Sequence, residues 1–122
     1  MDRARFERLV AEALDSLPLE FQEKMQNVDV VIKAWPTSEE VRRAGLPHGE
    51  TLLGLYEGVP QTKRTSRYGL VLPDKVTIYQ GPIEACCRTA EEVRRKVRQV
   101  VLHELGHHFG MSEERLRELG IY

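Results

Sequence analysis

The sequence predicts a single domain that mixes helices with a few short strands, on three observations. An apolar stripe at helical spacing opens the chain. Short runs rich in β-branched residues lie in its middle. A long, well-capped helix near the end gathers three of the four histidines.

The elements follow in order. From Arg3 to Leu17, the residues Phe6, Leu9, Val10, Ala13, Leu14 and Leu17 fall on one stripe, and Pro18 ends the helix. Leu19 to Met25 reads as a short second turn of helix. Val28 to Ile32 is β-branched and reads as a strand, broken by Trp35-Pro36. Thr37 or Ser38 caps a short helix through Ala44, and Gly45 closes it. Leu52 to Tyr56 is a strand candidate, and its glycines suggest an edge or a bulge where another backbone comes close. The polar, basic run Gln61 to Arg67 reads as an exposed loop. Leu70-Val71-Leu72 and Val76 to Tyr79 read as two strands around a Pro73-Asp74 turn, with Gly81-Pro82 ending the second. Thr89 caps a helix from Ala90 to Phe109, with Glu91 and Glu92 in the first turn, where the helix dipole favours them. Gly110 stops it, and Ser112 caps a last helix from Glu113 to Leu119.

Composition narrows the function. With 122 residues, 18 basic against 19 acidic and a net charge of -1, the chain lacks the basic excess of a general nucleic-acid binder. No apolar run approaches the roughly 18 residues that span a bilayer. The charged start, Met1 to Glu7, is unlike a secretory signal, so the expected compartment is the cytoplasm. Cys86 and Cys87 are adjacent and lack the CxxC spacing of a redox or zinc pair; they read as reduced thiols.

The stretch from His103 to Glu113 carries the chemistry. His103 and His107 are four apart on a helix, so both imidazoles project from one face and reach one metal ion: the H-E-x-x-H zinc pattern. Gly110 permits a sharp turn that brings Glu113 back as a third ligand, with Glu114 as its substitute, and such a site leaves a fourth position open for water. On the helical wheel, Val93, Val97, Val100 and Val101 form an apolar face with Glu104 near its centre. A carboxylate there calls for compensation, from a dication or from hydrogen bonds. Leu102, Leu105 and Phe109 make the other side apolar as well, which predicts a buried helix end. His108 points away from His103 and reads as a supporting histidine, not a ligand.

These residues match the extended pattern H-E-x-x-H-x-x-G-x-x-[H/D/E], and the chain resembles the small bacterial zincin-like metallopeptidases, or minimal zincins. The likeness extends to Pro18-Leu19-Glu20-Phe21, Asn27-Val28, Gly54-Leu55-Tyr56-Glu57-Gly58 and Leu72 to Ile78. It implies an α+β fold with a small mixed sheet packed on the motif helix. It implies Zn2+ held by His103 and His107, Glu104 as the catalytic base, and an acidic third ligand at Glu113. The larger metzincins carry a methionine turn well beyond this motif; Met111 lies inside it and does not serve as one.

The expected activity is hydrolysis of a peptide or protein substrate, with Glu104 moving the proton. The strand before Glu57 offers an edge to an extended peptide, and Tyr56, Tyr68 and Tyr79 are candidate donors to the oxyanion. Two alternatives stand beside it. His-Glu-Leu-Gly-His also resembles the bacterial peptidases that cleave phage-type repressors. A non-catalytic interaction domain would instead close the metal site with His48, Cys86 or Cys87 as a fourth ligand.

Overall fold

The computed structural model describes residues 1–46, 50–58 and 72–119. The expectations for His48, for Gln61 to Arg67, for Tyr68 and for Leu70-Val71 lie outside them. The described elements are α1 (Arg3–Asp15), α2 (Leu19–Lys24), a 3-10 turn (Met25–Asn27), β1 (Val28–Lys33), α3 (Ser38–Ala44), β2 (Gly54–Glu57), β3 (Asp74–Tyr79), α4 (Gln80–Ala85), α5 (Ala90–His108) and α6 (Glu113–Glu118).

The fold is α+β, and among the described residues the sheet is mixed and three-stranded, in the order β1-β3-β2. β3 is central. It pairs parallel with β1, Val28 opposite Asp74, and antiparallel with β2, Gly54 opposite Ile78. Central position explains its composition, because Val76, Thr77, Ile78 and Tyr79 are all fully buried. Alternation along β3 divides the core in two. Ile78 joins the larger cluster, where Phe6, Val10 and Ala13 of α1 meet Val93, Val97 and Val101 of α5. Tyr79 faces the other way, with Leu52 and Leu55, under Val41 and Ala44 of α3.

Local signals set the helix ends. The Thr37 hydroxyl accepts from Glu40 N–H, and the Glu40 carboxylate accepts from Thr37 N–H, a reciprocal cap; Gly45 closes α3 at φ 66°. Glu40 is also buried, a charge the sequence pattern does not reveal. Tyr79 donates its hydroxyl to it at 2.7 Å and Lys33 lies 3.1 Å away. Donation from Thr37 N–H and Tyr79 hold the carboxyl down at about 2, against the opposing effect of burial. Burial, then the Glu40 hydrogen bond, pushes the Tyr79 hydroxyl well up.

Two expectations change. Asp74 is not in a turn; it opens β3 and is buried. Gly81-Pro82 does not simply end the strand, because α4 starts at Gln80 with both residues in its first turn. Proline is tolerated there, since the first backbone N–H groups of a helix have no intrahelical acceptor.

Candidate metal centre

α5 positions the motif. Thr89 caps its start through Glu92 N–H, and Val93, Val97, Val100 and Val101 seat it in the core. Its end is a Schellman turn: Met111 N–H donates to Gly106 O and Gly110 N–H to His107 O, with Gly110 at φ 70°. That turn reverses the chain, and Ser112 caps α6 through Arg115 N–H. Leu116 of α6, fully buried, then packs on Gly106, where an added Cβ would stand 2.5 Å from Leu116 Cδ2. Gly106 in H-E-L-G-H is therefore a packing requirement that lets α6 lie against the motif.

The His103 and His107 rings meet edge to face, with centroids 4.4 Å apart and planes inclined at 62°. Burial lowers the His103 pKa, His107 adds to the lowering, and the Glu113 carboxylate opposes it. The lowering favours the neutral imidazole, the form in which histidine binds a metal. Glu113 is the first residue of α6, close enough for its charge to be felt at His103; its carboxylate lies 4.0 Å from Arg117. Among the described residues, no three His, Cys, Asp or Glu side chains converge as a group able to hold an ion. The donors nonetheless suit zinc in kind: two imidazoles one turn apart and a carboxylate on the next helix.

Glu104 is half-buried, as the helical wheel predicts. Burial raises its pKa; a hydrogen bond from Tyr56 backbone N–H and the nearness of His107 work the other way. The Tyr56 donor comes from the edge strand. Tyr79 N–H donates to Leu53 O, so in the antiparallel register Leu53 and Leu55 turn their backbone groups to β3, while Gly54 and Tyr56 turn theirs outward. β2 lies this close to α5 because residue 54 is glycine. A Cβ there would meet Val100 Cγ1 at 2.5 Å.

Behind the histidine pair is a cluster the sequence does not disclose. Tyr56 stacks on His108 with centroids 3.9 Å apart and donates its hydroxyl to Asp74 Oδ2 at 2.6 Å; His108 Nε2 lies 3.6 Å from the same oxygen. His108 is therefore occupied on the strand side, consistent with a supporting role. Phe109 is 41% exposed, not buried as expected, with its ring under the Lys24 ammonium at 4.5 Å. Of the three candidate oxyanion donors, Tyr79 is removed by its bond to Glu40 on the far face of the sheet, and the Tyr56 hydroxyl is engaged by Asp74. Cys86 and Cys87 are free thiols. No described helix is long and apolar enough to cross a membrane.

A family model for zincin-like metallopeptidases matches residues 25–121. The chain belongs to that family. The match takes in every strand, the motif helix and α6, so membership accounts for the zincin-like arrangement of a small sheet on the motif helix. Among solved structures, a conserved hypothetical protein from Thermus thermophilus is similar at 26% identity and a TM-score of 0.56, over 89% of this chain and 94% of that one. No curated protein matches this chain.

Proposed function

We propose that this zincin-like chain is a zinc-dependent hydrolase of peptide bonds, acting as one domain in the cytoplasm. The observation that carries the reading is Glu104. Its carboxylate is half-buried next to the paired His103 and His107, and is anchored by the edge strand.

His103, His107 and Glu113 would hold the metal, with Glu114 as the substitute third ligand. Bound there, zinc supplies Lewis acidity, polarising a carbonyl and bringing the pKa of a water down to about 7. Glu104 would accept the proton of the attacking water and return it to the leaving amine. The Tyr56 N–H keeps the carboxylate aimed. The outward backbone groups of Gly54 offer pairing to an extended peptide, which fixes the scissile bond by strand addition.

The test is zinc stoichiometry and affinity on metal-stripped, reconstituted protein beside His103→Ala, followed by a peptide-library digest with Glu104→Gln as control. Near-equimolar zinc that His103→Ala abolishes, with cleavage that Glu104→Gln abolishes, is the expected result. No zinc binding in the wild type ends the hydrolase reading. Tight zinc without turnover favours a metal-stabilised interaction domain. Cleavage of one protein only, trapped by Glu104→Gln, favours a repressor-type specific peptidase.

A further inference from the structure

A hollow of about 240 Å3 opens beside His103 and Glu104 and runs back along α5 between Val100 and the Leu52–Gly54 segment, as far as Lys96. A second hollow of about 420 Å3 shares Thr51, Leu53 and Lys96 with the first and continues to Trp35. Together they form a trough leading away from the candidate centre, with Lys96 where the two meet.

The walls near the centre are apolar: Leu46, Leu52, Leu53 and Val100. Apart from Glu104, the described residues lining either hollow include no carboxylate. Lys96 donates to the neutral Gln99 Oε1 at 3.3 Å and forms no ion pair among the described residues. The neighbouring Cys87 thiol supplies no counter-charge, since burial pushes it up to about 11. Glu92, one turn earlier on α5, borders an adjoining hollow with Lys96 but accepts from Arg88 N–H and forms no ion pair with Lys96. The trough thus offers an ammonium held in no ion pair among the described residues at the end of an apolar passage, an arrangement suited to a carboxylate on a chain that is otherwise apolar.

Spacing sets where that carboxylate belongs. Lys96 and His103 are seven residues apart on one helix, about 10 Å at roughly 1.5 Å per residue. An extended peptide covers this in about three residues at roughly 3.3 Å each.

We infer that Lys96 is a specificity-determining residue that selects peptides bearing a carboxylate about three residues from the cleaved bond, with apolar residues between. The inference rests on the hydrolase reading for the words "cleaved bond", but the recognition itself is readable without turnover. The carboxylate comes either from an acidic side chain or from the end of the substrate chain.

The experiment measures binding of fluorescein-labelled apolar hexapeptides to the metal-free protein by anisotropy. One set moves a single glutamate along the peptide. A second replaces it with glutamine. A third is neutral except for a free carboxyl terminus, compared with its amide. The best carboxylate-bearing peptide should bind about fivefold more tightly than its neutral counterpart. Lys96→Gln should abolish that preference and Lys96→Glu reverse it, with both variants keeping the wild-type circular dichroism. Preference confined to the glutamate set assigns a side-chain carboxylate, and preference confined to the free-terminus set assigns the chain end. Equal binding of charged and neutral peptides, a preference that survives Lys96→Gln, or no binding at millimolar protein overturns the inference. Zinc loading of the same samples separates the two ideas: a Lys96-dependent preference without cleavage leaves this inference standing and removes the hydrolase, and cleavage without preference does the reverse.

Discussion

The backbone N–H of Tyr56 donates to the carboxylate of Glu104, joining the outer edge of the sheet to the last turns of the motif helix. The same residue grips the end of that helix through His108 and reaches Asp74 through its hydroxyl. One tyrosine therefore fixes where the proposed base stands relative to the histidine pair.

Glu104→Gln should retain zinc and lose about 10²-fold or more of the hydrolysis rate. It should also raise the melting temperature of the metal-free protein at neutral pH. The folded-state pKa of Glu104 is raised, so the folded state holds its proton more tightly, and stability falls as pH climbs from the ordinary carboxyl value through the raised one. Glutamine removes the buried charge and still accepts from Tyr56. Parallel melts of stripped wild type and variant decide it; an unchanged or lower melting point at pH 7 contradicts the burial argument.

Glu113→Gln should weaken zinc binding about tenfold or more, and Glu114→Gln should leave it close to wild type. The distinction comes from Glu113 alone among the two being felt at His103. Competition titrations with a chromogenic chelator give the ranking, and the reverse order would move the third ligand to Glu114.

Gly54→Ala should destabilise the protein by about 1–3 kcal/mol. The new methyl meets Val100 Cγ1 at 2.5 Å and the Thr77 carbonyl oxygen at 3.2 Å, and neither a stiff β-branched side chain nor a backbone group yields readily. The strand must back away from α5, taking the Tyr56 donor with it. Urea unfolding and the rate of peptide hydrolysis should fall together; a fully stable variant would mean that β2 has slack against the helix.

Glu40→Gln should flatten the acid limb of the stability curve. The Glu40 carboxyl is held near 2 against an ordinary value of 4.5, so it contributes stability above that ordinary value, which is lost as pH falls through about 2. Melting temperatures between pH 5 and about 2 (a window set by those two values) should drop less steeply in the variant, from a lower starting point at neutral pH. Curves that run parallel would remove Glu40 as the source.

How much of this was legible in the sequence follows from the range of the signals. Thr89, the acidic first turn and Gly110 act within a few residues, so α5 and the turn after it could be read directly. The same holds for the cap at Thr37 and the stop at Gly45. Gly54 signalled a close approach without naming Val100 as the partner. The clamp of Tyr56, Asp74 and His108 is not legible in the sequence, because each residue sits on a different element and only the register of β2 on β3, with α5 packed beside them, brings the three together. Pro73-Asp74 reads as a turn from local signals alone, whereas the burial of Asp74 is satisfied by the hydroxyl of Tyr56, 18 residues away in sequence. α4 is hidden in the sequence because Gly81-Pro82 signals a break by default, although both positions are harmless in a helix's first turn.

The strand order β1-β3-β2 bears on how the molecule comes together during synthesis. Among the described strands the last to be made is the one in the middle, so β1 and β2 lack the strand they pair with until residues 74–79 have emerged. Phe6 and Val10 likewise wait for Val97 and Val101. An amino-terminal fragment ending before Asp74 leaves β1 and β2 without the central strand and α1 without α5, and unpaired strands and an uncovered amphipathic helix invite association with other chains. Closure over such long sequence separations makes for slow folding of a small protein.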